Sequence, residues 1–229
     1  MKKIGIIAAM QEEMDAIKEI MENTSKKQIY ELTFIEGKIN KKDCVLVQCG
    51  LWKVNSSRVT QILIDKFEIE YIINVGSAGT ANNELNIGDI VIGEKLVQHD
   101  FDITAFGHKK GYISNVGESV KSDSKLIEKF KKVITEISDN NCKVKIGTIA
   151  SGDIFCTESI MKEKINKKFG ADAIEMEGAA IAQVCYLDNI PFIVVRSISD
   201  TPNGNNNITF EKYLELASKR CSYIIKKFI

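Results

Sequence analysis

An acidic residue, Asp200, closes an apolar run that begins at Pro191. The run is rich in β-branched residues, which predicts a strand covered on both faces, as in the middle of a parallel sheet. A carboxylate at the carboxyl end of such a strand stands where α/β proteins bind ligands, and it could act there as an acid. Asp200 could instead make a turn with its own backbone before Thr201 and Pro202. This stretch alone leaves both interpretations open.

Four further apolar runs are each followed by a cluster that contains small or acidic residues. The clusters are Met10–Glu13, Gly76–Gly79, Ser151–Phe155 and Glu175–Glu177. Each cluster also has a structural interpretation. Glutamates in the first turn of a helix are expected from the helix dipole alone. A Gly-Ser-Ala-Gly turn could bind an anion on its amides or simply be tight, and Met176 could be a core residue.

The clusters are more informative together than singly. If their strands run parallel, all of them meet along one edge of the sheet. Several carboxylates would then lie close together, with only three arginines in the whole chain to neutralise them. They would repel one another unless they were spread around a substrate. Two carboxylates on opposite sides of a sugar are the groups that hydrolyse a glycosidic bond.

The elements that would position these clusters alternate between strand and helix. Residues 3–9, 29–39, 44–49, 71–75, 87–97, 144–151, 171–174 and 191–199 are predicted strands, and residues 10–21, 54–67, 122–137, 158–169, 177–187 and 209–228 are predicted helices. This alternation predicts a single domain over residues 1–229. Its one sheet is expected to be largely parallel and covered on both faces, with an antiparallel part near residues 29–49.

The composition excludes several classes of protein. Lys+Arg and Asp+Glu number 31 each, so no net charge favours nucleic acid or a membrane surface as partner. The six cysteines include no Cys-x-x-Cys pair, and His99 and His108 are interpreted as surface or loop residues, so no metal site is predicted. Reduced cysteines in apolar patterns favour the cytoplasm. The apolar run at the N-terminus is too short for a signal peptide, and no run approaches a membrane span.

Six motifs together resemble the bacterial 5′-methylthioadenosine/S-adenosylhomocysteine nucleosidases of the purine nucleoside phosphorylase superfamily. They occur in that family's order along almost the whole chain, as Ile4–Glu13, Asn74–Gly79, Asp102–Gly107, Ser151–Phe155, Glu175–Glu177 and Arg196–Asp200. The resemblance implies an α/β/α sandwich with a mixed, partly barrel-like central sheet, the nucleoside phosphorylase fold. It also implies hydrolysis of the N-glycosidic bond between adenine and a 5′-thio-substituted ribose, a reaction of methionine salvage. The implied partner is a small nucleoside, with no cofactor.

The resemblance assigns catalytic roles to two carboxylates. Asp200 matches the general acid that protonates adenine N7, and burial at the end of an apolar strand would keep it protonated. Glu13 matches the base that activates water on the other face of the ribose. Met176 and Glu177 match residues that hold the ribose hydroxyls. The polar substrate-binding positions are completed by Ser77, Glu175 and Ser199.

Apolar positions complete the implied pocket. Phe155 and the backbone of Cys156 match positions that face adenine. Phe210 matches an aromatic that closes over the base after a hinge at residues 201–208. The lining of the ribose and the 5′ group is completed by Met10, Leu51 and, from a partner subunit, Ile103 and Phe106. The resemblance therefore implies a homodimer.

Three departures from the family pattern bear on the range of 5′ substituents rather than on the reaction. Trp52 follows Leu51 where the family usually has a small residue after an isoleucine. Ser114 stands near a position where some members have proline. Cys156 replaces a more usual aliphatic residue and is interpreted as a packed thiol, because no histidine lies near it in the sequence.

Proteins with other functions could use the same residues. A purine nucleoside phosphorylase needs cationic groups for phosphate, and arginine suits them best. No arginine precedes Arg58, Asn74 stands where bacterial phosphorylases have arginine, and Glu13 would repel phosphate but suits water. A non-catalytic nucleoside-binding module would need neither Glu13 nor Asp200, and an AMP nucleosidase is disfavoured by the apolar 5′ pocket. The prediction is a hydrolase, and a futalosine hydrolase on the same fold stays open as an alternative.

Overall fold

The computed structural model describes residues 2–137, 142–200 and 210–229. The strands are β1 (Lys3–Ala8), β2 (Glu22–Ile29), β3 (Leu32–Ile39), β4 (Lys42–Gln48), β5 (Ile69–Thr80), β6 (Ile90–Gln98), β7 (Val120–Lys121), β8 (Val144–Ser151), β9 (Ala171–Glu175) and β10 (Phe192–Asp200). The helices are α1 (Gln11–Lys18), α2 (Lys53–Lys66), α3 (Ser124–Ile137), α4 (Ser159–Phe169), α5 (Gly178–Leu187) and α6 (Phe210–Phe228). A short 3₁₀ turn spans Thr104–Phe106.

The ten described strands form one sheet whose middle is closed into a ring. The strand order is β10-β6-β8-β9-β5-β1-β4-β3-β2, with β7 paired to β6. β10 also pairs with β5, so that β5, β10, β6, β8 and β9 complete a circle of five strands. The predicted α/β fold with a mixed, partly barrel-like sheet is confirmed.

The strands that carry the site residues do not all run the same way. β1, β4, β5 and β10 are parallel to one another, whereas β6 is antiparallel to β10 and is followed by β8 and β9 in its own direction. The parallel arrangement assumed from the sequence is therefore wrong for β8 and β9. Their carboxyl ends still reach the ends of β5 and β10, because β5 and β9 cross antiparallel at Gly79–Ile174 and Thr80–Ala173.

The small residues after Val75 continue β5 rather than ending it in a turn. A Cβ on Gly76 would lie 2.8 Å from Oε1 of Glu13, and a Cβ on Gly79 would lie 2.6 Å from Oδ1 of Asp200. Glycine is required at both positions because two carboxylates approach the strand backbone there. The glycines thus allow the two carboxylates to approach the strand closely, and they do not reverse the chain.

The core lies on both faces of the sheet, as continuous apolar strands predict. Ile4, Ile6 and Ala8 of β1 pack in a cluster with residues of α1, α3 and α6. Ile7 packs in the other cluster, which includes residues of α2 and α5. Within the first cluster, the ring of Phe130 stacks on that of Phe228 with centroids 3.7 Å apart. These two layers of helices hold the ring of strands between them.

The edge strand β2 is absent from the sequence prediction. Its residues are polar and exposed along most of its length, and it pairs antiparallel with β3 through a tight turn at Tyr30. Lys26 and Lys27 lie on this edge, where lysine disfavours pairing with another chain. Because one face of β2 buries almost nothing, no apolar alternation marks it.

Among the described residues, no helix has both the length and the apolar character to cross a bilayer.

Candidate active site

A cavity opens where the carboxyl ends of β1, β5, β9 and β10 meet the segment after β8. Its predicted lining residues are Met10, Glu13, Leu51, Ser77, Phe155, Cys156, Glu175, Met176, Glu177, Ser199 and Asp200. The lining is completed by Ala9, Ala78, Gly79, Ile154 and Ile174, which were not predicted from the sequence. The chain thus brings together residues that are up to 191 positions apart.

Glu13 is held at one end of the cavity by backbone amides. It occupies the third position of α1, where a glutamate commonly accepts from the amide that precedes the helix. Here Oε2 accepts from the amides of Ala9 and Met10 at 2.9 and 3.0 Å, and Oε1 accepts from the amide of Ser77 at 3.0 Å. Burial raises the pKa of Glu13, against the opposing effects of Arg196 and the three amides.

Glu175 lines the cavity, but its oxygens are engaged by the protein. The Ser151 hydroxyl and the Arg196 guanidinium donate to it. The amides of Glu177 and Gly178, at the start of α5, also donate to Oε2 at 3.1 and 2.7 Å. Glu175 therefore satisfies the free amides at a helix N-terminus and fixes the backbone of the next glutamate.

Arg196 forms the buried floor beneath these glutamates. Its guanidinium also donates to Oδ1 of Asn74 at 2.6 Å, and the Asn74 amide group donates to the carbonyl of Ile7 at 3.0 Å. Both side chains are fully buried. The guanidinium therefore bonds to the Glu175 carboxylate and the Asn74 side-chain amide, and Arg196 is not among the residues that line the cavity.

Glu177 is a second buried glutamate on the cavity wall. Its Oε1 accepts from the backbone amide of Trp52 at 3.0 Å. Burial, followed by the neighbouring charge of Glu175, raises the pKa of Glu177 to about 8. Burial and Glu175 thus both favour the protonated form of Glu177, in which the carboxyl group can donate a hydrogen bond as well as accept one.

Asp200 ends β10 and is held by a side chain instead of by the backbone. The Lys162 ammonium donates to Oδ2 at 2.7 Å. Lys162 is buried, whereas 33% of the Asp200 side chain is exposed. Oδ1 has no hydrogen-bond partner among the described residues and lies against Gly79. From the sequence, burial alone was expected to act on Asp200 and to keep it protonated. The structure adds a buried ammonium in contact with it.

The rim of the cavity is apolar and partly open. Phe155 is 66% exposed, and Leu51 and Ile154 are also exposed there. Trp52 has a positive φ of 78° and a half-exposed indole that is not part of the lining. Its amide is bound to Glu177, so the backbone of this segment, rather than the indole, serves the site. Burial raises the pKa of the Cys156 thiol, as expected for a packed neutral group.

Two predicted site residues stand apart from this cavity. Ile103 and Phe106 do not line it, and Phe106 is 81% exposed. The Phe210 side chain and the predicted hinge at residues 201–208 lie outside the described part of the chain. The interpretation of His99 as a surface residue is corrected, because its side chain is buried against Gly152.

Lys162 is the residue that the sequence reasoning missed. It precedes Ile165 and Phe169 by three and seven residues, so it lies on the inward face of α4. A lysine on an apolar helix face signals a paired carboxylate, because a buried ammonium is costly without one. The partner itself could not be named from the sequence, since Asp200 lies 38 positions further along.

Comparison with known proteins identifies the family. The family model described as the phosphorylase superfamily matches residues 3–229. The chain belongs to this superfamily. A 5′-methylthioadenosine/S-adenosylhomocysteine nucleosidase of Staphylococcus haemolyticus is 41% identical over 227 residues, which cover 99% of this chain and 98% of that protein. This match confirms the nucleosidase family predicted from the motifs, and with it the prediction that this superfamily member is an enzyme.

Solved structures of superfamily members agree with this assignment. The 5′-methylthioadenosine/S-adenosyl homocysteine nucleosidase of Campylobacter jejuni has a TM-score of 0.93 and 34% identity, covering 100% of this chain and 98% of that one. A futalosine hydrolase of Helicobacter pylori has a TM-score of 0.92 and 32% identity, covering 99% and 97%. Nucleosidases with differently named substrates therefore share this backbone.

Proposed function

We propose that this superfamily member hydrolyses the N-glycosidic bond of 5′-methylthioadenosine and S-adenosylhomocysteine, releasing adenine and the 5-thio-substituted ribose. One observation carries the proposal: Glu13 and Asp200 approach the same strand, at Ser77 and Gly79, and line one cavity. Two residues along a strand separate these backbone points by roughly 7 Å. A separation of that order leaves room for a sugar carbon and an attacking water between two carboxyl groups.

In this reaction the two carboxyl groups have opposite roles. Asp200 donates a proton to adenine N7, which makes the base a better leaving group. Glu13 accepts a proton from the water that attacks C1′. Its raised pKa makes it a stronger base, while its three amide donors hold the carboxylate in one orientation.

The remaining residues of the wall bind and orient the nucleoside. Glu177 binds the ribose hydroxyls with Met176, and Glu175 acts through the backbone of Glu177 instead of touching the sugar. The base lies between Phe155, Cys156 and Ser199. The ribose and the 5′ group are lined by Met10, Leu51 and Ser77.

Hydrolysis fits this cavity better than phosphorolysis does. No lysine or arginine is among the described lining residues, while four carboxyl groups are. Phosphate requires cations at its binding site, and water does not. The nearby Arg196 guanidinium is already paired with Glu175 and Asn74.

Incubation of the purified protein with methylthioadenosine, with and without phosphate, tests this proposal. We expect adenine and methylthioribose to form at the same rate in both samples. Release of methylthioribose 1-phosphate only in the presence of phosphate would instead establish a phosphorylase. Comparison of kcat/KM for methylthioadenosine, S-adenosylhomocysteine, 5′-deoxyadenosine and futalosine then ranks the substrates. A dominant kcat/KM for futalosine would favour the function of the Helicobacter pylori neighbour.

The proposal extends to a homodimer in the cytoplasm. Phe106 is an exposed aromatic on an irregular segment, which suits a residue lent with Ile103 to the 5′ pocket of a second copy. Sedimentation equilibrium measures the oligomeric state directly. A monomer with full activity would contradict a shared pocket.

A further inference from the structure

Lys162 is a buried lysine in direct contact with the proposed acid. It lies in the first turn of α4 with 2% of its surface exposed, and its ammonium donates to Oδ2 of Asp200. Burial of an ammonium is costly unless a carboxylate compensates it. The ion pair therefore fixes both side chains, and it ties α4 to the end of β10.

The pair leaves the two oxygens of Asp200 in different surroundings. Oδ2 is bound to Lys162, whereas Oδ1 has no hydrogen-bond partner among the described residues. Oδ1 lies against Gly79, which lines the cavity together with Asp200. Oδ1 is itself buried there, while the Asp200 side chain as a whole is 33% exposed and lines the cavity.

We propose that Lys162 is a positioning residue for Asp200, fixing the orientation of its carboxyl group at the cavity wall where the purine base binds. This inference rests on the proposed function, in which Asp200 is the general acid. In the reacting complex Asp200 carries a proton, and the ion pair of the structure is the form it takes after giving that proton up. The proton passes to N7 and the C–N bond breaks with its electron pair staying on the base. Water bonds to C1′ and gives its proton to Glu13. Asp200 is then a carboxylate, and the adjacent ammonium stabilises that charge.

The other charged groups around the cavity cannot take this role. Glu13, Glu175 and Glu177 are carboxyl groups like Asp200 itself, and Cys156 is a neutral thiol. Arg196 is bound to Glu175 at the other end of the cavity floor. Lys162 is therefore the cation within contact of Asp200 in the described part of the chain.

A purely structural ion pair is the competing explanation, because it would also hold α4 against β10. The two explanations differ in what they predict for the chemistry. A structural pair affects stability and leaves the pH profile of turnover unchanged. A positioning residue changes kcat and the pH at which the acid loses its proton.

Lys162→Met tests the inference, since it removes the charge and keeps an unbranched chain in the buried space. With methylthioadenosine we expect kcat to fall on the order of 10- to 100-fold, with a much smaller change in KM. The alkaline limb of the kcat/KM profile should also move, because the positive charge beside the proposed acid is removed. Lys162→Arg keeps the charge and should restore most of the turnover and the original limb.

Two further variants serve as controls. Lys164→Met, at an exposed position of the same helix, should behave as the unchanged protein. In an Asp200→Asn background, Lys162→Met should cause no additional loss of kcat, because no acid remains to be positioned. Circular dichroism and thermal unfolding establish that each variant is folded.

Three results would overturn the inference. They are an unchanged kcat and pH profile in Lys162→Met, equal losses in the Met and Arg variants without a shift of the limb, and a further loss in the double variant. Failure of the proposed function gives a different result. In that case the unchanged protein releases no adenine, or Asp200→Asn retains full activity, and the inference falls with it.

Discussion

The two ends of the cavity hold their carboxyl groups by different means. Glu13 is buried and accepts hydrogen bonds from three backbone amides, two at the start of α1 and one on β5. Asp200 is one-third exposed and is held through one oxygen by one side chain, Lys162. The backbone itself places the proposed base, whereas a single lysine places the proposed acid.

This contrast determines how each group can be altered. Amide donors belong to the backbone, so no single side-chain substitution removes the support of Glu13. The support of Asp200 disappears with one substitution on α4. We therefore expect the orientation of Asp200 to be easier to change by a single substitution than that of Glu13.

The largest effect is expected when each carboxyl group becomes an amide. Glu13→Gln and Asp200→Asn should each lower kcat by about 10²- to 10⁴-fold while substrate binding persists, since an amide replaces neither a base nor an acid. Their effects on stability should differ in cause. In Glu13→Gln an NH₂ group faces a backbone amide donor, at a cost of about 1–3 kcal/mol. The Asp200→Asn variant should lose stability for a different reason, because the new carbonyl oxygen can still accept from Lys162 but the buried ammonium no longer faces a carboxylate.

Steady-state kinetics, calorimetric binding and urea unfolding measure these effects. A Glu13→Gln variant as stable as the unchanged protein would show that the amides do not hold Glu13 in solution. Full turnover by Glu13→Gln would remove it from the reaction and favour the non-catalytic binding module.

A smaller effect is expected from alanine at the two glycines of β5. Gly76→Ala forces a Cβ against Glu13, which three amides keep in place, so it should cost about 1–3 kcal/mol of stability in addition to activity. Gly79→Ala meets Asp200, whose side chain can rotate away from a single partner. We expect it to lower kcat on the order of 10-fold with little change in stability. Denaturant unfolding and kcat measured on both variants test this, and the reverse pattern would contradict the contrast between the two ends.

The last prediction concerns the pH dependence of stability and extends the comparison to a third carboxyl group, Glu177. Its pKa is raised from 4.5 to about 8 by burial and by Glu175, so the folded state binds a proton that the unfolded state releases. Stability from this group is therefore present below pH 4.5 and is lost as the pH rises toward 8. Glu177→Gln should remove that dependence, so that its free energy of unfolding exceeds that of the unchanged protein increasingly with pH. Urea unfolding from about pH 5 to about pH 9 measures the difference, and parallel curves would contradict it.

The sequence predicts the residues of the cavity better than it predicts their partners. Apolar runs locate β1, β8 and β10 because burial on both faces leaves a continuous pattern. The motif resemblance then places Glu13, Met176, Glu177 and Asp200 together, and the structure brings all of these into one lining. The polar edge strand β2 carries no such pattern and was missed.

Partners could not be predicted because they depend on how strands cross. The amide of Ser77 reaches Glu13 only because β5 continues beyond Val75, where the sequence indicated a turn. Likewise, the reversed direction of β8 and β9 is invisible in their apolar runs, since burial does not encode direction. The pairing of Lys162 with Asp200 follows from that topology and not from either local sequence.

The closed ring of strands determines how readily individual strands open to solvent. β10 has β5 on one side and β6 on the other, so neither of its ladders forms a free edge. Releasing it requires both ladders to break at once, whereas β2 can leave the sheet by breaking one. Amide hydrogens of β10 should therefore exchange with deuterium mainly through global unfolding, and those of β2 through local opening. The strand that carries Asp200 is thus among the last parts of the chain to meet solvent.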